Sequence, residues 1–211
     1  MELLKKEVAE FIEQSWKIIA ALEDFEADKN QMVIVKLWVK FIRNNEAILE
    51  LFSKGFYDEG MTIYRLSIEH LFNIFALARN KDFLQKFINN SEKSIPKAMV
   101  CLHEDLKKED KSPLTPENKN RLEKAIDNNR SKELDDLGYS IYNASQESEL
   151  NYVYNSSYRI LSISYAHSTY LSAVSNASSE EIRPILEDMR DSLHMVILLS
   201  REVFVHSAPN A

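Results

Sequence analysis

Long stretches with apolar residues at helical spacing are the feature that most limits what this chain can fold into. They run over residues 3–25, 31–54, 58–79, 149–175 and 178–205. A chain of 211 residues is interrupted by only three glycines and five prolines, and no segment shows strong polar–apolar alternation bounded by turn signals. The sequence therefore predicts an all-α fold, a single helical bundle of about six or seven helices.

The length of the chain sets the expected domain organisation. It allows one sizeable core and is short for two, so we expect a single domain over residues 1–211. Within that domain, residues 1–54 are expected to form an N-terminal helix pair, residues 56–205 the remaining bundle, and residues 206–211 a frayed tail.

Local signals predict several helix ends. Gly55 fits the end of the second helix, and Asp58 can cap the start of the third. Thr115 followed by Pro116 is a strong helix start, because proline suits the first helical position. We therefore expect a mostly polar helix over residues 116–131.

Charge and cysteine content bound the cellular setting. A formal net charge of −7 argues against general affinity for nucleic acid or anionic lipid, because the summed field repels both. Cys101 is the single cysteine, so no intramolecular disulfide and no cysteine-based zinc site can form. The amphipathic N-terminus lacks the apolar core of a signal peptide, and the most apolar stretches fall short of the ~20 residues that span a bilayer. We expect a cytoplasmic protein with no membrane partner.

A polar seam runs along the helix "TIYRLSIEHLFNIFALAR", residues 62–79. Arg65, Glu69 and Asn73 fall on one line of a helical wheel, with apolar residues on both flanks. Burying an unpaired charge is costly, so these side chains must pair with one another or face polar groups. The seam is either a structural Arg65–Glu69 pair at i, i+4 or part of a pocket, and we expect one of the two residues to contact the segment 149–175.

A second polar set occurs in "YNSSYRILSISYAH", residues 154–167. Four side chains share one helix face at spacings of four, three and four: Tyr158, Ser162, Tyr165 and Thr169. Tyrosine at helical spacing is most often a core residue whose hydroxyl is satisfied. Arg159 and His167 project to another side and remain candidates for contact with a ligand.

Two stretches together resemble a known family. "FSKGFYDEGMTIYRLSIEHLFNI", followed about ninety residues later by "YRILSISYAHST", is similar to a prokaryotic helical family carried as a domain of unknown function. The resemblance covers roughly residues 40–175, outside the N-terminal helix and the segment 110–148. In that family an Arg-x-x-x-Glu helix accompanies a Tyr-Arg-x-x-Ser helix with a later histidine. These motifs correspond to Arg65, Glu69, Tyr158, Arg159, Ser162 and His167. The resemblance implies a shared fold and pocket, and carries no activity.

An alternative rests on "RLSIEH", residues 65–70, which resembles the Arg-x4-His signature of HEPN-type ribonucleases. In such an enzyme His70 would act as general base on a ribose 2′-hydroxyl and Arg65 would stabilise the phosphorane, without a metal. Residues five apart on a regular helix point about 140° from each other, however. Leu66 stands where a polar residue is often found, and the short pattern occurs easily by chance.

Other chemistry has weaker support in the sequence. Glu187, Asp191 and His194 share a helix face, but a di-iron bundle needs further matching motifs, so we interpret this face as solvated and expect no metal. The chain contains no glycine-rich phosphate loop and no Gly-x-Ser-x-Gly elbow, so we expect no cofactor.

The sequence therefore favours a binding or interaction module over an enzyme. Its candidate site holds an anionic ligand or a partner segment, or simply holds the two helices together, and comprises Arg65, Glu69, Tyr158, Arg159, Ser162 and His167. The long amphipathic helices at both ends also make a homodimer plausible. Nucleic acid would be a partner only under the ribonuclease alternative, whose catalytic residues would be Arg65 and His70.

Overall fold

The structure is a computed structural model that describes residues 1–90, 101, 104–105, 115–130, 139–174 and 176–205. Every regular element in those residues is helical, which confirms the predicted all-α fold. The chain divides into two compact units, one comprising Met1–Lys81 with Ile141–Ala211 and the other Asp82–Ser140. A single domain stays a prediction, and the expected tail at 206–211 lies outside the described residues.

In chain order the helices are α1 (Glu2–Ala21), α2 (Lys29–Ser53), α3 (Tyr57–Arg79), α4 (83–90 in its described part), α5 (Pro116–Arg130), α6 (Ile141–Glu147), α7 (151–166), α8 (Tyr170–Val174) and α9 (Ser179–Val205). Helices α4 and α5 belong to the second unit and the others to the first. The helix ends predicted at residues 54, 79 and 205 are each within one residue of those observed, whereas α1 ends at Ala21, four residues before the end predicted at residue 25.

A tight turn joins α2 to α3. Gly55 adopts a φ of +82°, where a side chain would be strained. The backbone N–H of Phe56 donates to the carbonyl of Leu51 at 2.9 Å, and that of Gly55 donates to Phe52 at 3.3 Å. This pair of bonds is a Schellman motif, and it confirms that Gly55 ends the second helix.

Asp58 does not cap α3, so that expectation is wrong. The helix begins one residue earlier, at Tyr57, and its N-cap residue Phe56 makes no side-chain cap. The carboxylate of Asp58 instead accepts a hydrogen bond from the backbone N–H of Ala177 at 2.6 Å. A carboxylate in the first turn still interacts favourably with the helix dipole.

Helix α3 is the most deeply buried element of the first unit. Its residues 71–77 are buried without interruption, which requires neighbours on every side. Helix α2 packs along it, α9 also contacts it, and α6 and α7 cover further parts of its surface. Helix α1 packs on α2 and α9. The largest fully buried side chains include Trp38, Phe41, Phe72, Ile48, Leu186 and Met189.

The helix predicted over residues 149–175 is interrupted. Helix α7 ends at Ala166, and His167 has extended backbone angles. Thr169 then starts α8, since its hydroxyl accepts from Ser172 N at 3.1 Å and Ser172 Oγ accepts from Thr169 N at 2.9 Å. These reciprocal bonds resemble a capping box, which favours a new helix over continuation of the old one.

Within the second unit, α5 begins as predicted. The backbone N–H of Asn118 donates to Thr115 Oγ1 at 3.3 Å, and Pro116 is the first helical residue. This confirms the Thr-Pro start signal and a helix ending within one residue of the predicted position. Aromatic contacts join Tyr139 to Phe83 and Phe87, with ring centroids 5.8 and 5.4 Å apart.

No helix within the described residues is both long and apolar enough to cross a membrane.

Candidate functional site

Arg65 of α3 is the centre of a polar network between α3 and α7. Its Nε donates to Ser162 Oγ at 2.7 Å, and its Nη2 donates to the hydroxyl of Tyr158 at 2.6 Å. Its Nη1 lies 2.9 Å from Glu69 Oε1, one helical turn away on α3. Each guanidinium nitrogen therefore has an oxygen partner, and the expectation that Arg65 contacts the segment 149–175 is confirmed.

Tyr158 closes the network. Its hydroxyl donates to Glu69 Oε1 at 2.9 Å while accepting from Arg65, and the guanidinium carbon of Arg65 lies 4.7 Å from its ring centroid. Burial and the neighbouring Glu69 carboxylate raise the pKa of Tyr158 to about 12, so the phenol stays a donor at neutral pH. Ser162 Oγ in turn donates to the Tyr158 carbonyl at 2.8 Å.

Aromatic rings support Tyr158 from behind. Tyr154 stacks on it with centroids 5.1 Å apart and ring planes at 21°, and the fully buried Phe72 of α3 lies 6.1 Å away. Tyr142 of α6 meets Tyr154 edge to face at 5.3 Å. Such contacts add to the burial energy and fix the ring that carries the hydroxyl.

The helical geometry of α7 positions these groups. Its α-helical turns Asn151–Val153 and Arg159–Leu161 alternate with π-helical turns Tyr154–Tyr158 and Ser162–Ala166. A π turn inserts an extra residue into the hydrogen-bond ladder and so rotates the side chains that follow.

Both Tyr158 and Ser162 face α3 within this geometry. Thr62 extends the seam, since its Oγ1 lies 3.2 Å from the carbonyl oxygen of Tyr165 as well as 3.0 Å from that of Asp58 on its own helix. The predicted shared face holds for Tyr158 and Ser162. The hydroxyl of Tyr165 instead donates to Glu181 of α9 at 3.0 Å, and Thr169 lies beyond the helix end.

The network is shielded and its charges offset each other. The side chains of Arg65 and Glu69 are 18% and 20% exposed, and their charges lie within one ion pair. Charge-assisted hydrogen bonds in such a setting are stronger than neutral ones. The arrangement can hold two helices in a fixed relation, and its neutral balance gives little attraction for an outside anion.

Two of the six candidate residues lie apart from this network. Arg159 and His167 are both exposed, on the outer side of α7 and just past its end. The structure thus brings together Arg65, Glu69, Tyr158 and Ser162 and leaves the other two on the surface.

His70 takes no part in the Arg65 network. Its pKa is lowered to about 4, chiefly by burial and also by the positive charge of Lys40 on α2. Arg65 bonds to α7 instead. The two residues of the Arg-x4-His pattern therefore do not share a set of contacts, and at its lowered pKa His70 is a weak base.

The face with Glu187, Asp191 and His194 makes contacts with neighbouring side chains. Arg183 pairs with Glu187 at 3.0 Å and Arg190 with Asp191 at 2.8 Å. His194 stacks on Phe11 with centroids 5.2 Å apart. Within the described part of the chain, no group of three or more His, Cys, Asp or Glu side chains is arranged to hold a metal ion.

A surface groove lies beside the network, and sequence reasoning did not identify it. It has a volume of about 260 Å³ and runs between α7 and the first turns of α9. Its apolar lining consists of Met61, Ile160, Leu161, Pro184 and Ile185. Ile160 is also 60% exposed, and Ile163, three residues later on α7, is 52% exposed. One sequence signal could have indicated this apolar surface: Ile160 and Ile163 both lie off the helix face that Tyr158 and Ser162 share.

Comparison with known proteins bears on the same residues. A family model described as a family of unknown function, DUF5677, matches residues 31–183, which include the whole network. The chain belongs to this family. The DUF5677 match confirms the resemblance to a helical domain of unknown function, and it also spans the segment 110–148. No curated protein and no solved structure matches the sequence significantly.

Proposed function

We propose that this chain is a cytoplasmic helical interaction module that binds a partner segment through the outer face of α7. The observation that carries the proposal is the contrast between the two faces of that helix. Its inner face is tied to α3 by the Arg65 network, while Tyr152, Ile160 and Ile163 stay 61%, 60% and 52% exposed. Large apolar side chains exposed together on one helix are typical of an interaction surface.

In this proposal the six candidate residues have two roles. Arg65, Glu69, Tyr158 and Ser162 support α7, whereas Arg159 and His167 stand where a partner would contact them. An anionic ligand at Arg65 would have to displace Glu69 from a 2.9 Å ion pair. The offset charge therefore favours a partner segment over an anion at the seam.

The alternative is a metal-independent HEPN-like ribonuclease using Arg65 and His70. It has less support than the module, because catalysis needs both side chains at one phosphate, whereas the three guanidinium nitrogens of Arg65 already bond to Ser162, Tyr158 and Glu69. An RNA-cleavage assay tests it directly. Cleavage by the parent protein, lost in folded Arg65→Ala and His70→Ala variants, would replace the module with the enzyme.

Affinity purification from the native host tests the module. A variant carrying Ile160→Ser and Ile163→Ser removes apolar surface from the outer face, and Leu198→Ser removes a similarly exposed side chain, 43% exposed, from α9 as a matched control. We expect chemical cross-linking to join the parent and the Leu198→Ser variant to the same partner, with at least tenfold less product for the double variant. Equal recovery with all three, or no cross-linked partner of any kind, would contradict the proposal.

A further inference from the structure

We propose that a second copy of this chain occupies the outer face of α7 and the adjoining groove, so that two copies form a two-fold symmetric dimer. This inference rests on the proposed interaction face and names its partner. It is carried by three properties of one surface of the first unit: the size of the groove, the apolar ridge beside it, and the charges of both signs, Glu181 and Arg159, that lie next to them.

The groove suits side chains better than a metabolite. Its volume of about 260 Å³ is below the ~300–1,000 Å³ of small-molecule pockets. Its floor and walls are mainly apolar, with Met61, Leu161, Pro184 and Ile185 among the lining residues. One or two apolar side chains of a packed helix would fill such a space and remove it from water.

The ridge is formed by the exposed apolar side chains of α7. These side chains are Tyr152, Ile160 and Ile163, and Ile160 also lines the groove. A groove beside a ridge on the same surface is self-complementary, because a two-fold rotation sets the ridge of one copy against the groove of the other.

Charges of both signs lie beside this ridge. Glu181 lines the groove, and its carboxylate accepts from Tyr165 Oη at 3.0 Å and from the backbone N–H of Ser178 at 2.7 Å. The Ser178 backbone bond is the largest cause that lowers the pKa of Glu181, so the groove edge is negative at neutral pH. Arg159 directly precedes Ile160 on α7, and it is exposed and without an ion pair to any described residue.

Two-fold symmetry would use both charges twice. If Arg159 of one copy meets the Glu181 edge of the other, the rotation brings the second Arg159 to the second Glu181. A surface that carries both a cation and an anion beside one apolar ridge is complementary in charge to a second copy of itself. Such pairs contribute more to partner choice and orientation than to affinity.

A charge-swap experiment tests the dimer by sedimentation equilibrium at micromolar concentrations. We expect the parent to dimerise and Arg159→Glu to raise the dissociation constant at least tenfold, because two carboxylates then face each other at each edge. Glu181→Lys should do the same by opposing two cations. An equimolar mixture of the two variants should recover the dimer, since each mixed pair again joins opposite charges. Arg201→Glu, an exposed charge reversal near the other end of α9, is the matched control and should dimerise like the parent.

Folding is monitored by circular dichroism, because Glu181 also bonds to the start of α9. Arg159→Glu leaves those bonds in place, since Arg159 is an exposed residue of α7 that takes no part in them, so its result decides if Glu181→Lys fails to fold. A parent that stays monomeric, or a mixture that fails to recover the dimer, overturns the inference. If the host partner still depends on Ile160 and Ile163 while the parent is monomeric, the dimer fails and the interaction module stands. If neither measurement depends on α7, both fail.

Discussion

The two sides of α3 are held by different kinds of contact. Toward α2 the interface is mainly apolar, since α2 contributes fully buried side chains such as Trp38, Phe41 and Ile48, and Asn30 adds one bond from its Nδ2 to the carbonyl of Leu77. Toward α7 it is a hydrogen-bonded network around Arg65, backed by the rings of Tyr154 and Phe72. Apolar burial is strong and non-directional, whereas charge-assisted hydrogen bonds demand one geometry. The difference suggests that α2 stabilises α3 and that the network orients α7.

The largest effect is expected on the α2 side. Phe41→Ala should lower the free energy of unfolding by about 3–5 kcal/mol, because it removes a side chain only 1% exposed and leaves a cavity. Chemical denaturation of both proteins measures this. Met32→Ala, at a side chain 46% exposed on the same helix, is the control and should change stability by less than about 0.5 kcal/mol. A loss under about 1 kcal/mol for Phe41→Ala would contradict the stabilising role of α2.

The network should produce the next largest effect. Arg65→Ala strands Glu69 beside Tyr158, and we expect a loss of about 2–4 kcal/mol, somewhat below that for a fully buried pair because both side chains are about a fifth exposed. Adding Glu69→Gln should restore about 1–2 kcal/mol, since the remaining group is then neutral. Denaturation of the single and double variants provides the cycle. Arg159→Ala, the exposed arginine of α7, should be nearly neutral, and an equal loss there would contradict the role of the network.

The polar side of α3 could be predicted from the sequence because it is a local pattern. Arg65 and Glu69 are one turn apart with apolar residues on both flanks, and the cost of burying charge predicts partners for them. Tyr158 and Ser162 are four apart on a second helix, which fixes their common face. Periodicity also predicted the all-α fold and most of the helix ends.

Features that depend on the backbone or on distant segments could not be predicted. The π turns of α7 change the backbone hydrogen-bonding pattern of the helix without an evident sequence signal. The Thr169–Ser172 cap lies within a stretch whose apolar residues keep helical spacing, so the sequence predicts one uninterrupted helix there. The local sequence around Asp58 predicts a helix cap. Its actual partner, the backbone N–H of Ala177, is 119 residues away, and local signals cannot show such a contact. The groove forms only when α7 and α9 meet, so neither helix shows it alone.

The hydroxyl of Tyr158 should contribute less than the arginine. Tyr158→Phe keeps the ring stacked on Tyr154 and removes a donor to Glu69 and an acceptor for Arg65. We expect a loss of about 1–2 kcal/mol in thermal or chemical unfolding, as for other buried hydrogen bonds. Tyr170→Phe, at a side chain 84% exposed, is the matched control and should have no measurable effect. A neutral result for Tyr158→Phe would place the orienting force in the ring contacts instead.

The smallest expected effect is a dependence of the free energy of unfolding on pH. It arises from His70 of α3, whose pKa is affected by Lys40 of α2. Burial and the charge of Lys40 lower the pKa of His70 from 6.5 to about 4. As the pH falls, the unfolded chain therefore binds a proton at this residue before the folded protein does. The contribution of the neutral His70 to the free energy of unfolding is fully present above pH 6.5 and decreases as the pH falls toward about 4. After allowance for solvent screening we expect about 1 kcal/mol. His70→Gln should remove this slope and the exposed His194→Gln should keep it, whereas the same slope in both would exclude His70 as its source.

Native-state hydrogen exchange of the Arg65→Ala variant tests most directly whether the network orients α7. The measurement compares amide protection helix by helix in the variant and the parent, under conditions where both are folded. The expected result is that residues 151–166 of the variant open without the rest of the helices and keep at least tenfold less protection than α2, because α7 has lost its bonds to Arg65. The amides of α2 should lose only the protection that corresponds to the lower global stability of the variant. Residues 151–166 that stay as protected as α2 in the variant would contradict the orienting role.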